Sequence, residues 1–394
     1  MDISTLERDS PSFHEWRNRA FPFFRRKIFL NHAAVVPLPQ AVVEAVSKYL
    51  SLVAEQGQFE FVHRDIYAEC RRRVAALLGH GAQLEEVTFA GSTSHALGIV
   101  ATSIDWKPGD NCVIADGDFP ANVVTWLNLE HKYGVQIRRI PRRADFSVAL
   151  EDLAPLVDER TRIVSLSSCN FLSGCPIDTN AIGKYLRARG VLFCLDSIQT
   201  LGAIPIDISH VDFVCADAHK WLLGPCGVAV LWVRQQVLET LRPAMLGWLS
   251  APNVENFFAY STDPLPTAER FSPGERNYTG VAGLNAALGM LEEVGRQTVA
   301  SRVVELRNYA AQQAAQAKLP VLWMPDERRS GNVSLRMKSD QETNELYQKL
   351  DEKFSVSLRN DPEGTKWLRI SPHFMNRHED IDALFDEVRA FQHR

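Results

Sequence analysis

Asp217-Ala218-His219-Lys220-Trp221-Leu222-Leu223-Gly224-Pro225 follows directly on the apolar run Phe213-Val214-Cys215-Ala216. Upstream, a second run, Val191 to Leu195, ends in Asp196-Ser197-Ile198-Gln199. Short apolar runs of this length, rich in β-branched and aromatic residues, read as buried strands. One strand therefore delivers a lysine just past its end, and another carries an acid at its carboxyl end. Working outward, the same texture repeats. Glu86 to Ala90 precedes the helix-period segment Ser94 to Ala101, and Asn111 to Ala115 precedes Asn122 to Glu130. Gln136 to Ile140, Thr161 to Leu166 and Val228 to Val233 extend the series. Strands alternating with helices specify an α/β fold, a mainly parallel sheet sandwiched by helices. A ligand site then belongs beyond the carboxyl ends of the strands, where Asp196 and Lys220 both fall.

After about residue 255 the pattern changes to that of a smaller α+β domain. Leu284 to Val294 and Thr298 to Ala317 read as long helices, Val333 to Arg336 and Trp367 to Ile370 as strands, and Asp380 to Phe391 as a terminal amphipathic helix. Turn chemistry at Ala251-Pro252-Asn253 and Asp263-Pro264-Leu265-Pro266 puts the boundary nearby. The expected division is an arm at 1–25 that joins the small domain, a large domain at 26–255, an interdomain and interface segment at 256–290, and a small domain at 291–394.

The 394 residues are 45% hydrophobic and 23% charged, with a net charge of −5, which fits a globular chain and gives no basic face for nucleic acid. Arg25-Arg26-Lys27 and Arg71-Arg72-Arg73 read as solvated surface. The N-terminal residues lack a charged segment followed by an apolar core, and no apolar run is long enough for a bilayer, so no membrane partner is expected. Seven cysteines in mostly apolar contexts read as free thiols of a cytoplasmic protein, and no spacing of metal ligands occurs.

A lysine amine and a buried carboxylate at one sheet edge are the pair that holds pyridoxal 5′-phosphate (PLP), the amine as a Schiff base and the carboxylate against the pyridinium nitrogen. Alone, Asp196 would read as a helix cap and Lys220 as a surface residue; together with Gln199 they form a site. Gln199 is placed to donate to the cofactor's phenolic oxygen, and His219 to contact its phosphate. Lys220 would then exchange protons at the substrate Cα. Gly91-Ser92-Thr93-Ser94 follows a strand and opens a helix, an arrangement suited to a phosphate. Neither G-x-G-x-x-G nor G-x-x-x-x-G-K-[ST] occurs, which leaves nucleotide-binding readings without support.

With these residues in place, the chain resembles the class V aminotransferase family of fold-type I PLP enzymes, which includes cysteine desulfurases, selenocysteine lyases, kynureninases and isopenicillin N epimerases. The resemblance runs from Leu30-Asn31-His32-Ala33-Ala34 to Leu368-Arg369-Ile370-Ser371-Pro372-His373-Phe374. It implies a catalytic Lys220, cofactor contacts from Thr93, Ser94, Asn170, Asp196, Gln199 and His219, and Arg369 on the substrate α-carboxylate. Phe119 would stack on the ring where desulfurases have a histidine. Trp248 and Asn277 match the phosphate contacts of kynureninase-like relatives, whereas Glu275 departs from the threonine common elsewhere. The resemblance also implies a homodimer with its sites at the interface. Desulfurases carry a nucleophilic cysteine on the loop that here reads Arg359 to Thr365, which has none, and on that ground a cysteine desulfurase is not expected. The expected activity is that of an aminotransferase or Cβ-elimination lyase acting on an α-amino acid, with amino-acid epimerase as one alternative and a non-catalytic PLP-fold binding protein as another.

Overall fold

A computed structural model describes residues 10–58, 62–252, 256, 258–324 and 329–394. Its centre is a seven-stranded sheet in the spatial order Val87–Ala90, Ala229–Val233, Phe213–Asp217, Leu192–Asp196, Thr161–Ser167, Asn111–Ala115 and Gln136–Ile140. Ala229–Val233 runs antiparallel to both neighbours, and every other pairing is parallel. The parallel strands therefore end along one edge, and that edge receives the site.

Successive side chains of a strand leave on opposite faces, and here both faces are apolar. Val113, Phe193, Leu195, Val214 and Ala216 feed one buried cluster, while Cys112, Ile114, Cys194, Phe213 and Cys215 feed a second on the other side. Helices Thr93–Ser103 and Ala121–Tyr133 cover the second face through Leu97, Val100 and Trp126. On the first face lie helix Thr179–Arg187, through Ile182 and Leu186, and helix Tyr278–Val294, through Val281, Leu284, Leu288 and Leu291. This last helix starts earlier than the expected Leu284, because the Asn277 side chain caps it by accepting from Gly280 N.

A third cluster belongs to the C-terminal part, where a three-stranded antiparallel sheet (Ser357–Asn360, Lys366–Ile370, Val333–Leu335) packs under helices Arg296–Gln316, Asp340–Leu350 and His378–Gln392. The N-terminal arm docks on this part. Ile28–Phe29 pairs in parallel with Phe354–Ser355, and buried Arg17 meets Asp380 at 2.6 Å. Residue 255, the expected limit of the large domain, lies outside the described residues. Six of the seven cysteines are buried and free, and Cys226 is free and exposed. Among the described residues no helix is long and apolar enough to cross a membrane.

Candidate active site

The strand ends enclose a cavity of about 310 Å³, lined by Thr93, Ser94, Phe119, Asp196, Gln199, Asp217, His219, Lys220, Arg359 and Arg369 among others. They arrive on several different elements. Asp196 is the last residue of its strand, and Lys220 stands three residues past Asp217, on a tight turn. In that turn Leu223 N donates to Lys220 O at 3.0 Å and Gly224 N to Ala218 O at 2.8 Å. Leu223 takes φ +60, a left-handed conformation that costs an L-residue about 1 kcal/mol. The strain is local to the turn that presents Lys220.

Asp196 is 1% exposed. Its Oδ1 accepts from Ile198 N at 3.0 Å, while Oδ2 has no hydrogen-bond partner. Burial, and then the nearby Asp118 carboxylate, push Asp196 up to about 7. Burial, and then the Arg369 guanidinium, push Lys220 down to about 8, so at neutral pH this amine holds its proton less firmly than a surface lysine does. A bare carboxylate oxygen inside a cavity is a place prepared for a cationic N–H, and a protonated pyridine nitrogen supplies one. The donor set therefore fits PLP.

At the other end of the cavity, Ser92 caps helix Thr93–Ser103 by accepting from His95 N at 3.1 Å, and the Thr93 and Ser94 amides precede the first intrahelical bond, Ala96 N to Ser92 O. Buried Thr93 Oγ1 accepts from Asp217 N at 2.9 Å, which ties this helix start to the lysine strand. His219 Nδ1 lies 2.8 Å from Asp217 Oδ1. An anion between the helix start and His219 meets amides, hydroxyls and an imidazole. Gln199 Nε2 donates to Ala33 O at 3.3 Å. The Phe119 ring, 40% exposed, lies 5.3 Å from Lys220 Nζ and meets Phe171 edge-on at 5.3 Å.

Arg369 is 1% exposed and donates to Phe171 O at 2.7 Å, leaving its Nε unpartnered; burial, then Arg359, lower it to about 9. Arg359 was not anticipated. The pairing Ser357↔Arg369 puts Arg359, two residues on from Ser357, on the strand face that Arg369 occupies. Arg359, which the sequence places only as the first residue of the loop Arg359 to Thr365, belongs to the strand Ser357–Asn360.

Three expected residues do not line this cavity. Asn170 is buried in the loop beneath it, where its Oδ1 accepts from Leu172 N and Ser173 N at 3.0 and 2.9 Å. Asn277 spends its side chain on the helix cap and on Gly227 O, to which Nδ2 donates at 2.8 Å. Trp248 is half-exposed outside the cavity.

The sequence profile described as Aminotransferase class-V matches residues 28–384. Curated relatives include a cysteine desulfurase of Pectobacterium atrosepticum, 28% identical over 320 residues (76% of this chain and 75% of that protein). A probable cysteine desulfurase of Methanothermobacter thermautotrophicus is 28% identical over 70% of both chains. Among solved structures, the apo cysteine desulfurase of Thermococcus onnurineus superposes with a TM-score of 0.86 at 21% identity, over 98% of this chain and 99% of that one. The cystine C–S lyase C-DES superposes with a TM-score of 0.84 at 22% identity, over 94% of this chain and 99% of that one.

These names overturn the exclusion of cysteine desulfuration. That exclusion rested on two departures, Phe119 where desulfurases have a histidine and the absence of a cysteine from the loop Arg359 to Thr365. Neither departure removes Lys220, Asp196 or Arg369, all of which line the cavity. A parallel sheet ending in a lysine–carboxylate cavity, under a profile spanning residues 28–384, has one family reading: the chain belongs to the class V aminotransferase family of PLP-dependent enzymes, with the fold-type I architecture.

Proposed function

We propose that this protein is a PLP-dependent lyase that cleaves a bond to the Cβ substituent of an α-amino acid, with a carbon–sulfur bond as the primary target. The observation that carries the reading is the buried Asp196 with its bare Oδ2, set in one cavity with the depressed Lys220 amine and the buried Arg369. The names of the relatives, desulfurases and a C–S lyase, support the choice of bond.

When bound, PLP supplies an aldehyde that reacts with amines and a pyridinium ring that accepts the electrons released at Cα. Asp196 keeps the ring nitrogen protonated. Thr93, Ser94 and His219 hold the phosphate, and Phe119 covers the ring. Arg369 fixes the α-carboxylate, which orients the Cα–H bond toward Lys220. Lys220 Nζ would take the Cα proton, and the Cβ substituent would leave with the electrons of its bond as a thiolate. Arg359 adds a second cation near the substrate. Asn170 acts indirectly, by shaping the loop that carries Phe171. The working form is a homodimer with Trp248 near its interface, while Asn277 stays with its helix cap and Gly227 O. Exposed Val35, Leu38, Val43 and Leu50 supply apolar surface for that interface. The division into a large domain, a connecting segment and a small domain belongs to the same reading.

The test is a panel of cysteine, cystine and other amino acids, assayed together for sulfide or persulfide, pyruvate, ammonia, alanine and pyridoxamine phosphate. Release of sulfur with alanine or pyruvate supports the proposal. A keto acid accompanied by pyridoxamine phosphate and no sulfur release would assign transamination instead. Lys220→Ala is expected to abolish the visible absorption band of the PLP-loaded protein and to cut turnover by roughly 10²- to 10⁴-fold.

A further inference from the structure

Trp221 directly follows Lys220 and is fully buried. Its indole Nε1 donates to Gln199 Oε1 at 3.1 Å. An indole N–H donates and never accepts, so the amide oxygen is the end of Gln199 that faces it. Nε2 sends one hydrogen to Ala33 O, and its second N–H is the group Gln199 has left to offer to the cavity it lines.

Trp221 is itself fixed from the C-terminal part of the chain. Its carbonyl lies 3.1 Å from His373 Nε2. His373 Nδ1 accepts from Phe374 N at 2.8 Å, so Nε2 is the nitrogen that carries the proton and donates. The indole lies 5.5 Å from the His373 ring and 6.2 Å from that of His32, centroid to centroid. A Cβ on Gly331 would sit 2.3 Å from the indole, and one on Gly202 would sit 2.5 Å from the Trp221 carbonyl oxygen. At both points the neighbouring backbone lies close against Trp221.

We propose that Trp221 is a positioning residue: its indole N–H fixes the Gln199 amide so that a donor, not an acceptor, is presented to the cofactor's phenolic oxygen, and His373 locks the Trp221 backbone beside Lys220. This rests on the reading of the cavity as a PLP site. A donor at an anionic oxygen draws charge away from it and lowers the pH at which the visible band of the loaded protein changes. Without that donor the midpoint rises.

The experiment titrates the visible band of PLP-loaded wild type, Trp221→Phe and Gln199→Met. Both variants keep Asp196, Asp217, His219, Lys220, Arg359 and Arg369, the charged and titratable groups around the cavity, so a shared shift traces to the amide. Both are expected to raise the midpoint by about one pH unit. A shift in Gln199→Met with Trp221→Phe unchanged overturns the positioning role. No shift in either removes the Gln199 contact, and the proposal with it, while the Lys220-dependent band and the product assay stand apart. In the protein without cofactor, the Trp221 indole N–H resonance is expected to move in Gln199→Met. An unmoved resonance overturns the hydrogen bond, even if Trp221→Phe fails to load.

Discussion

A carboxylate with one oxygen bonded and the other bare destabilises the chain that holds it until a cation arrives, and Asp196 is in that position. Its pKa, raised to about 7, means that the folded state binds a proton the unfolded state has already released, so stability falls as pH rises from the ordinary carboxylate range through about 7. Asp196→Asn is therefore expected to raise the melting temperature of the cofactor-free protein at pH 8 and to weaken PLP binding about 10- to 100-fold. Thermal melts with and without PLP check both signs. At Arg369 the cost runs the other way. Arg369→Met removes the buried cavity guanidinium proposed to hold the α-carboxylate, and kcat/KM is expected to fall about 100-fold, mostly through KM. Arg359→Met, in the same cavity but only half-buried, should raise KM less. Steady-state kinetics on whichever amino acid the product panel identifies would separate the two arginines.

Loops rather than sheets set the precision of the cavity wall. The segment from Cys169 to Pro176 closes on itself by a bridge between those two residues, and Asn170 gathers the Leu172 and Ser173 amides at its centre. Phe171 on this loop meets both the Phe119 ring and Arg369. Gly174 adopts φ +78, and a Cβ there would lie 2.6 Å from Asn332 O. Gly174→Ala is thus expected to cost about 1–3 kcal/mol in denaturant melts and to raise KM by displacing the Phe171 carbonyl that holds Arg369. The hairpin from Ser357 to Ile370 is the other wall. Its turn is closed by Asp361, which accepts from Glu363 N and Thr365 N, and Glu363 pairs with Arg142. Glu363 is exposed, so Glu363→Gln should leave the denaturant midpoint unchanged.

At the scale of the whole molecule, the sheet domain and the C-terminal part meet through buried polar groups as well as apolar ones. His32 and His373, both fully buried with ring centroids 5.1 Å apart, sit at this junction. Burial lowers both, His373 to about 4. Below an ordinary histidine pKa the unfolded chain takes up protons that the folded chain refuses, so stability is lost as pH falls from about 6.5 toward 4. His373 alone accounts for ~3 kcal/mol of that limb, and His373→Gln should flatten it in melts run across the window. The alternation of apolar strands with helical segments determined the parallel sheet, and the residue types at two strand ends determined the cofactor, because strand period and lysine–carboxylate chemistry are local properties. Sequence also marked Thr93, Ser94, Gln199, His219 and Arg369, which the cavity gathers. Only tertiary structure decided that Asn170 shapes a loop, that Asn277 caps a helix, that Arg359 lines the cavity, and that Trp221 joins Lys220 to Gln199. Those roles depend on register and on contacts between residues far apart in the chain, such as Trp221 with His373, which no local pattern encodes. The orientation of Gln199 is the clearest instance: its residue type announces a polar contact, but the sense of that contact comes from an indole that only the fold brings beside it.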